Sequence, residues 1–243
     1  MKYMMMRKLQ EEWKKTVEKN NREASALFTY DGFFPGYQDA EIKVVFIGRE
    51  SRFSASRDRI ADDLAWFGTL GKNEGMGNYW NRIFYIFYGI QTRGKYSFEE
   101  LPKPRSIMAE MTGSRNCGFA LMNVSKYLNT GENSSVSDYG LINRFLADSE
   151  LDKRNFFREE LELLVPDIII TANLWDCGIR KKYLNLLFPE KDMSDFTFDG
   201  KKSVCMRNFR LNGRTVKLLD TYHFSAPGND RELFYDPITE LLF

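Results

Sequence analysis

Residues 42–51 read IKVVFIGRES, an apolar run that ends at Gly48 and is followed by charged residues. The apolar part does not alternate with polar residues, which indicates a strand buried on both faces of a parallel sheet. Three further runs have the same character, residues 119–122, 168–171 and 216–219. Stretches with helical spacing separate them, around residues 78–88, 141–164 and 174–187. This alternation predicts an α/β fold with three layers (α/β/α) and a central, mostly parallel sheet of about four strands.

Both ends of the chain are predicted to be helical. Apolar residues recur at near-helical spacing among lysines and glutamates over residues 5–27, which predicts an amphipathic helix packed on the core. A last helix is predicted over residues 230–242. Residues 196–210 are predicted to form an extra strand, or a hairpin around Asp199 and Gly200. Since no repeat or linker interrupts the pattern, we expect residues 1–243 to form one domain.

The composition is that of an ordinary globular protein with a net charge of +1. This charge argues against a histone-like nucleic-acid binder but leaves a local basic face open. The apolar runs are too short to span a bilayer, and the N-terminus lacks the continuous apolar stretch of a secretory signal. Three scattered cysteines indicate a reducing compartment and free, buried thiols. We therefore expect a cytoplasmic protein that contacts no membrane, and a monomer.

The same counts restrict the cofactors and several enzyme classes. One histidine and three scattered cysteines are too few for a zinc enzyme or an iron–sulfur cluster. No phosphate-binding glycine motif follows the first strand, and no Gly-x-Ser-x-Gly motif of a serine hydrolase is found. We therefore expect no metal and no cofactor, although the many carboxylates leave a magnesium site open.

Polar residues follow each of the predicted strands, at the edge where open parallel sheets bind ligands. Glu50 follows the first strand, Asn123 the second, Asn173 the third, and His223, the one histidine of the chain, the fourth. Each also has a plainer interpretation, namely an ion pair with a neighbouring arginine for Glu50, a turn for the asparagines and a structural hydrogen bond for the histidine. Their shared placement predicts a single site at this edge of the sheet.

Four short motifs around these positions resemble, in order, motifs of the uracil-DNA glycosylase superfamily. Residues 48–51 are similar to its Gly-Gln-Asp-Pro or Gly-x-Asn-Pro motif, and residues 77–80 to the Gly-Asn-Arg-Phe-Trp helix start of mismatch-specific members. Residues 121–123 resemble Leu-Leu-Asn, and residues 223–225 resemble His-Pro-Ser. The chain departs from the family where Glu50 replaces Asp or Asn and where Arg49 replaces Gln or an apolar residue. Ser51 and Phe224 replace prolines.

The resemblance implies a protein that hydrolyses the N-glycosidic bond of a flipped-out uracil or other damaged base in DNA. Glu50 would then orient water and offset the positive charge that develops on the sugar, and His223 would donate a hydrogen bond to the anionic base. Gly48, Phe53 and Asn123 would bind the base, with Phe53 stacking on its face and the Asn123 amide pairing with its edge.

Contacts with the DNA backbone are implied for Arg52, Ser225 and Gly228. Alternatives stay open for several of these residues, since Phe53 is also explained by core packing and residues 227–228 by a turn. The arginines at positions 49–59 line either a nucleic-acid face or a solvated helix start.

Two other functions of the chain also stay open. One is a catalytically inactive module that binds a base, a nucleotide or DNA, and the other is a hydrolase of free nucleosides.

Overall fold

The computed structural model describes residues 2–52, 56–70, 75–113, 118–131, 136–201 and 203–243. In these ranges seven strands form one sheet. The strands are β1 Gly32–Phe33, β2 Val44–Ser51, β3 Ala120–Leu128, β4 Ile168–Ala172, β5 Met193–Phe198, β6 Val204–Leu211 and β7 Arg214–Thr221. Together with the helices that pack against this sheet, they confirm the predicted α/β class.

The helices of the described ranges flank this sheet. They are α1 Lys2–Asn20, α2 Arg22–Ser25, α3 Arg59–Thr69, α4 Gly77–Gln91, α5 Pro104–Gly113, α6 Tyr139–Asp148, α7 Phe156–Leu164, α8 Lys181–Leu187 and α9 Asp236–Leu242. A π-helical segment, Arg231–Tyr235, leads into α9, and short 3-10 turns occupy Tyr37–Asp39, Phe98–Glu100 and Glu190–Asp192. The helix α5 was not predicted from the sequence, and the start of α3 at Arg59 corresponds to the helix start considered as one alternative for the arginines at positions 49–59.

The strand order of the sheet is β1-β3-β2-β4-β7-β6-β5. Its centre, β3-β2-β4-β7, is parallel and contains the four predicted strands. The prediction of about four strands in a mostly parallel sheet is nevertheless wrong, because β1, β6 and β5 add three antiparallel pairs at the two edges. These edges lack the signal of a buried strand, since β1 is two residues long and β5 is largely exposed.

Two predicted helices differ from the structure. The N-terminal helix is interrupted at Asn21, whose side chain accepts a hydrogen bond from Ala24 N and so starts a second helix. The helix predicted over residues 174–187 is present only in its second half, as α8. Asn173 adopts a left-handed conformation (φ +55°), and Leu174 N donates a hydrogen bond to Asp220 Oδ1 at 2.9 Å, which turns the chain away from a helix.

Side chains of successive residues in β2 enter two different cores. Val45 and Ile47 pack with residues of α1, α6, α7 and α8, whereas Val44 and Phe46 pack with residues of α3, α4, α5 and α9. Because side chains alternate between the faces of a strand, the two cores lie on opposite faces of the sheet. Helices therefore cover both faces, and the carboxyl ends of the parallel strands remain as the edge where a site can form.

Two further predictions, on membrane spans and on the cysteines, can be compared with the structure. No helix within the described ranges is both long and apolar enough to cross a membrane. Cys177 and Cys205 are free thiols, but each is only partly buried, so the prediction of buried thiols is wrong for these two. Cys117 lies outside the described residues.

Candidate functional site

The carboxyl ends of β3, β2, β4 and β7 lie at the same edge of the sheet because these strands are parallel. The chain runs from β2 to β3 on one side and later to β4 on the other, so the direction of strand addition reverses at β2. Ligands of open α/β sheets bind where that reversal occurs. Glu50 lies within β2 and Asn123 within β3, so the prediction that they follow their strands is wrong, because both strands run further than their apolar residues. Asn173 and His223 follow β4 and β7 as predicted.

The Glu50 carboxylate is buried, and only half of it is hydrogen-bonded. Its side chain is 1% exposed. Oε1 accepts hydrogen bonds from Asn129 Nδ2 and from Asp138 N, both at 3.0 Å. Within the described ranges Oε2 has no hydrogen-bond partner. Burial raises the pKa of Glu50, which makes the carboxylate a stronger base. A buried acceptor without a partner indicates a place for a water molecule or a ligand.

The imidazole of His223 is positioned as a neutral hydrogen-bond donor. Ser225 N donates a hydrogen bond to Nδ1 at 3.2 Å, so the proton of the neutral ring is on Nε2. Burial, followed by the positive charges of Arg49, Arg52 and Arg82, lowers the pKa of His223 to about 4. The ring is therefore neutral near pH 7 and has one N–H group to donate.

Arg52 connects Glu50 with His223. Its Nη2 lies 3.9 Å from Glu50 Oε1, a contact too long for a strong hydrogen-bonded ion pair. Its charge also helps to lower the pKa of His223, so it lies within electrostatic range of both groups. Arg52 Nη1 is buried and finds no hydrogen-bond partner in the described part of the chain. Arg52 is thus the residue that relates Glu50 to His223, through a contact with the first and an effect of its charge on the pKa of the second.

Arg49 does not form the ion pair with Glu50 that was considered for a neighbouring arginine, and it instead connects three parts of the chain. Its Nη2 donates to Asn173 O at 3.1 Å and its Nη1 to Ser137 Oγ at 3.5 Å, and the guanidinium lies over the Tyr139 ring at 5.6 Å. Arg49 thus joins the end of β2 to the loop after β4 and to the start of α6. Its charge remains close enough to His223 to lower the pKa of that residue.

Asn123 is held on the same edge by hydrogen bonds to neighbouring polar groups. Its Nδ2 donates to Ser51 Oγ at 2.9 Å and to Asp31 Oδ1 at 3.4 Å, so its donor capacity is used within the protein. Its Oδ1 lies beside Gly48, where an added Cβ would come within 2.5 Å of it. Gly48 is therefore required for this position of the amide, and Oδ1 is the atom that Asn123 can offer to a ligand.

A fully buried cluster of charged residues, Asp31, Lys126 and Glu160, holds Asn123 in place. Asp31 Oδ2 accepts from Asn123 N at 2.5 Å and forms a short ion pair with Lys126, and Lys126 Nζ also lies 2.8 Å from Glu160 Oε2. Gln10 Nε2 donates to Glu160 Oε1 at 2.5 Å. Burial raises the pKa of Glu160. The cluster fixes the end of β3, because buried charges require partners in defined places.

The chain matches no protein-family model and no curated protein sequence. The functional interpretation of the site therefore depends on its own residues and contacts. Phe53, the predicted stacking ring, lies outside the described residues. Glu50 contacts Arg52, whose charge acts on His223, and Gly48 and Asn123 lie beside each other in adjacent parallel strands.

The loop that carries His223 and Ser225 is organised by Arg82 of α4. This buried guanidinium donates to the carbonyl oxygens of Phe224 (2.7 Å), Ala226 (2.5 Å) and Gly228 (3.0 Å). It also forms an ion pair with Asp230 at 2.7 Å. The two predicted backbone-contacting residues of this loop are exposed, and Gly228 has φ +140°, a conformation that favours glycine.

Residues 77–80 begin α4, as the resemblance to a helix start implies, and they add a tyrosine beside the site. The Tyr79 ring lies 6.3 Å from the His223 ring. Arg59, which hydrogen-bonds with Tyr79, also pairs with Asp63 at 2.7 Å. Burial raises the pKa of Asp63 to about 6. Sequence reasoning gave Tyr79 no role, and its place in the quoted motif was the one signal that could have identified it.

Proposed function

We propose that this chain is a DNA glycosylase-like enzyme that hydrolyses the N-glycosidic bond of a flipped-out uracil or other damaged base. The observation that carries the proposal is the buried Glu50 carboxylate, whose Oε2 lacks a partner among the described residues. The neutral donor His223 is proposed to act with it, because Arg52 is close to both. Base excision needs both groups, since positive charge develops on the sugar and negative charge on the departing base.

In the proposed reaction Glu50 Oε2 accepts a hydrogen bond from a water molecule and takes its proton as the water attacks C1′ of the sugar. The C1′–N bond breaks, and its electron pair leaves with the base. His223 Nε2–H donates a hydrogen bond to an oxygen of the base and stabilises this negative charge. The proton that Glu50 took from the water is released through solvent, and the base takes up one proton at the ring nitrogen that was bonded to the sugar. Sugar and base both end as neutral products, and Glu50 is again a carboxylate.

Binding of the substrate follows from the surrounding groups. Asn123 Oδ1 accepts a hydrogen bond from an N–H at the edge of the base, beside Gly48. Arg52, with one buried nitrogen that has no partner among the described residues, is proposed to approach a phosphate. Ser225 and Gly228, in the loop held by Arg82, are proposed to contact the next phosphates along the strand. Phe53 remains the proposed stacking ring.

The direct test is release of a base from synthetic DNA. The wild-type protein is incubated with oligonucleotides that carry uracil or another deaminated base, in single and double strands, and abasic sites are detected by alkaline cleavage. We expect release from at least one of these oligonucleotides. If no base is released but DNA or a free base still binds in this site, the chain is an inactive binding module. If only free nucleosides are cleaved, it is a nucleoside hydrolase.

The pH dependence of base release provides a second prediction. Because the pKa of His223 is lowered to about 4, the ring should stay neutral through pH 6.5, where an ordinary histidine is half-charged. The decline of activity in acid should instead follow protonation of Glu50, whose pKa is raised by burial. Single-turnover rates from about pH 5 to about pH 8, with an NMR titration of the one histidine, measure both groups.

The lowered pKa of His223 also determines how the stability of the fold changes with pH. The unfolded chain binds a proton at His223 near pH 6.5, whereas the folded chain binds it only near pH 4. The contribution of His223 to the free energy of unfolding is therefore lost as pH falls through this interval. An NMR midpoint near 6.5 in the folded protein would show that the ring is solvated and would remove His223 from the proposed site.

A further inference from the structure

A cavity of about 310 Å³ opens at the carboxyl ends of β4 and β7, the two strands that Asn173 and His223 follow. Its walls are rich in aromatic rings and include one arginine: Trp175, Phe196, Phe198, Arg207 and Tyr222. Three of these rings are unusually accessible, with exposed fractions of 53% for Phe196, 44% for Phe198 and 45% for Tyr222. Large exposed rings grouped around one cavity indicate a binding surface.

The arginine of this cavity lies between two rings. The guanidinium carbon of Arg207 is 4.5 Å from the centroid of Phe196 and 5.4 Å from that of Trp175. Among the described residues its hydrogen-bond acceptors are sulfur atoms, Met193 Sδ at 3.7 Å and the Cys205 thiol. Sulfur is a weak acceptor, so the strong donors of Arg207 remain available to a ligand.

A second polar atom of the cavity wall also lacks a partner. Thr221 Oγ1 is buried and forms no hydrogen bond with the described residues. A ligand that pairs with Arg207 must carry oxygen or nitrogen acceptors, whereas the Thr221 hydroxyl can pair with a donor or an acceptor. A ligand that lies against the rings must be flat and aromatic. A nucleobase has both properties, and base–aromatic stacking with arginine nearby is how single-stranded nucleic acids are bound. The volume is at the lower end for small-ligand pockets, which suits a single base.

Two residues of the cavity wall relate it to the candidate site. Tyr222, in its wall, directly precedes His223 along the chain. Asn173 also lines the cavity, and its carbonyl oxygen accepts the hydrogen bond from Arg49. Two bases that are close along one strand could therefore occupy the two places together, provided that neither is paired or stacked in a duplex.

We propose that this cavity binds an unpaired nucleobase of single-stranded DNA, next to the base held by Glu50 and His223. The inference rests on the proposed function and narrows its substrate to single-stranded or locally unpaired DNA. It also gives the exposed rings of β5 a role, namely the surface on which the neighbouring base stacks.

Binding of fluorescently labelled oligothymidylate, measured by anisotropy, tests the cavity without requiring catalysis. Phe196→Ala and Phe198→Ala should each weaken binding about 10-fold or more, because stacking of one base is lost. Phe198→Trp keeps a stacking surface and should bind as the wild type does. Phe243→Ala, which removes an equally exposed ring at the end of the chain, is the matched control and should leave binding unchanged.

The outcomes separate this inference from the proposed function. If the wild type releases a base but the ring variants bind oligothymidylate as well as it does, the cavity inference is overturned and the glycosylase proposal stands. If no base is released and binding still depends on the rings, the cavity inference stands and the glycosylase proposal fails. If the wild type does not bind oligothymidylate, the inference is wrong. It is also wrong if Phe198→Ala only dissociates an oligomer in sedimentation, because the rings are then an interface between copies.

Discussion

Glu50→Gln should lower the rate of base release by at least about 10²-fold while leaving the fold intact. Glutamine has nearly the same shape, and its side-chain oxygen can still accept the hydrogen bonds from Asn129 and Asp138 N. It cannot take a proton from water or offset the charge on the sugar. Single-turnover cleavage of the best oligonucleotide substrate measures the loss, and thermal unfolding verifies the fold.

His223→Ala should give a loss of similar size, because it removes the preorganised donor for the departing base. Glu41→Gln is the matched control for Glu50→Gln, since Glu41 is exposed and forms an ion pair with exposed Arg93. It should cleave DNA at the wild-type rate. If Glu50→Gln retains more than about a tenth of the wild-type rate, the loss of rate is smaller than a positioned base would cause. Glu50 is then not the base, and the mechanism must be replaced.

The central strands could be predicted because each is a continuous apolar run that the sheet buries on both faces. The edges could not be predicted in the same way. β1 consists of two residues and pairs with a strand that lies about ninety residues further along the chain, Gly32 with Leu121. β5 is largely exposed, and its aromatic residues do not alternate with a buried face. The hairpin of β5 and β6 was nevertheless indicated by the turn residues Asp199 and Gly200. In the structure Asp199 accepts hydrogen bonds from Val204 N and Ser203 Oγ at this turn.

The strands that carry the candidate residues could be predicted, but the contacts of those residues could not. The sequence places Glu50, Asn123 and His223 after predicted strands of a parallel sheet. In the structure β2 and β3 extend past Glu50 and Asn123, so that of these three only His223 follows its strand. It gives no sign that Asp31 accepts from Asn123, or that Lys126 is fully buried between two carboxylates. Lysine in a strand is normally exposed, so a buried one is recognised only when its tertiary partners are known. These partners consume the donors of Asn123 and restrict it to the role of an acceptor.

The loop after β7 depends on Arg82, and its loss should have the largest effect on stability. Arg82→Met removes a charged donor from three buried or partly buried carbonyl groups and leaves Asp230 without its partner. Buried groups that lose a charged partner typically cost about 3–5 kcal/mol. We expect the free energy of unfolding, measured by urea denaturation, to fall by about 3 kcal/mol or more.

Arg154→Met is the matched control, since Arg154 forms two ion pairs with Glu12 and Glu159 at the surface. Exposed pairs contribute about 0–1 kcal/mol, so this variant should unfold close to the wild type. Arg82→Lys keeps the charge but has fewer donors, and it should lie between the wild type and Arg82→Met. In a folded Arg82→Lys protein the loop should be cleaved faster by protease, and base release should fall because His223 is no longer fixed. If Arg82→Met is as stable as Arg154→Met, the loop is held by its own turns and Arg82 has no organising role.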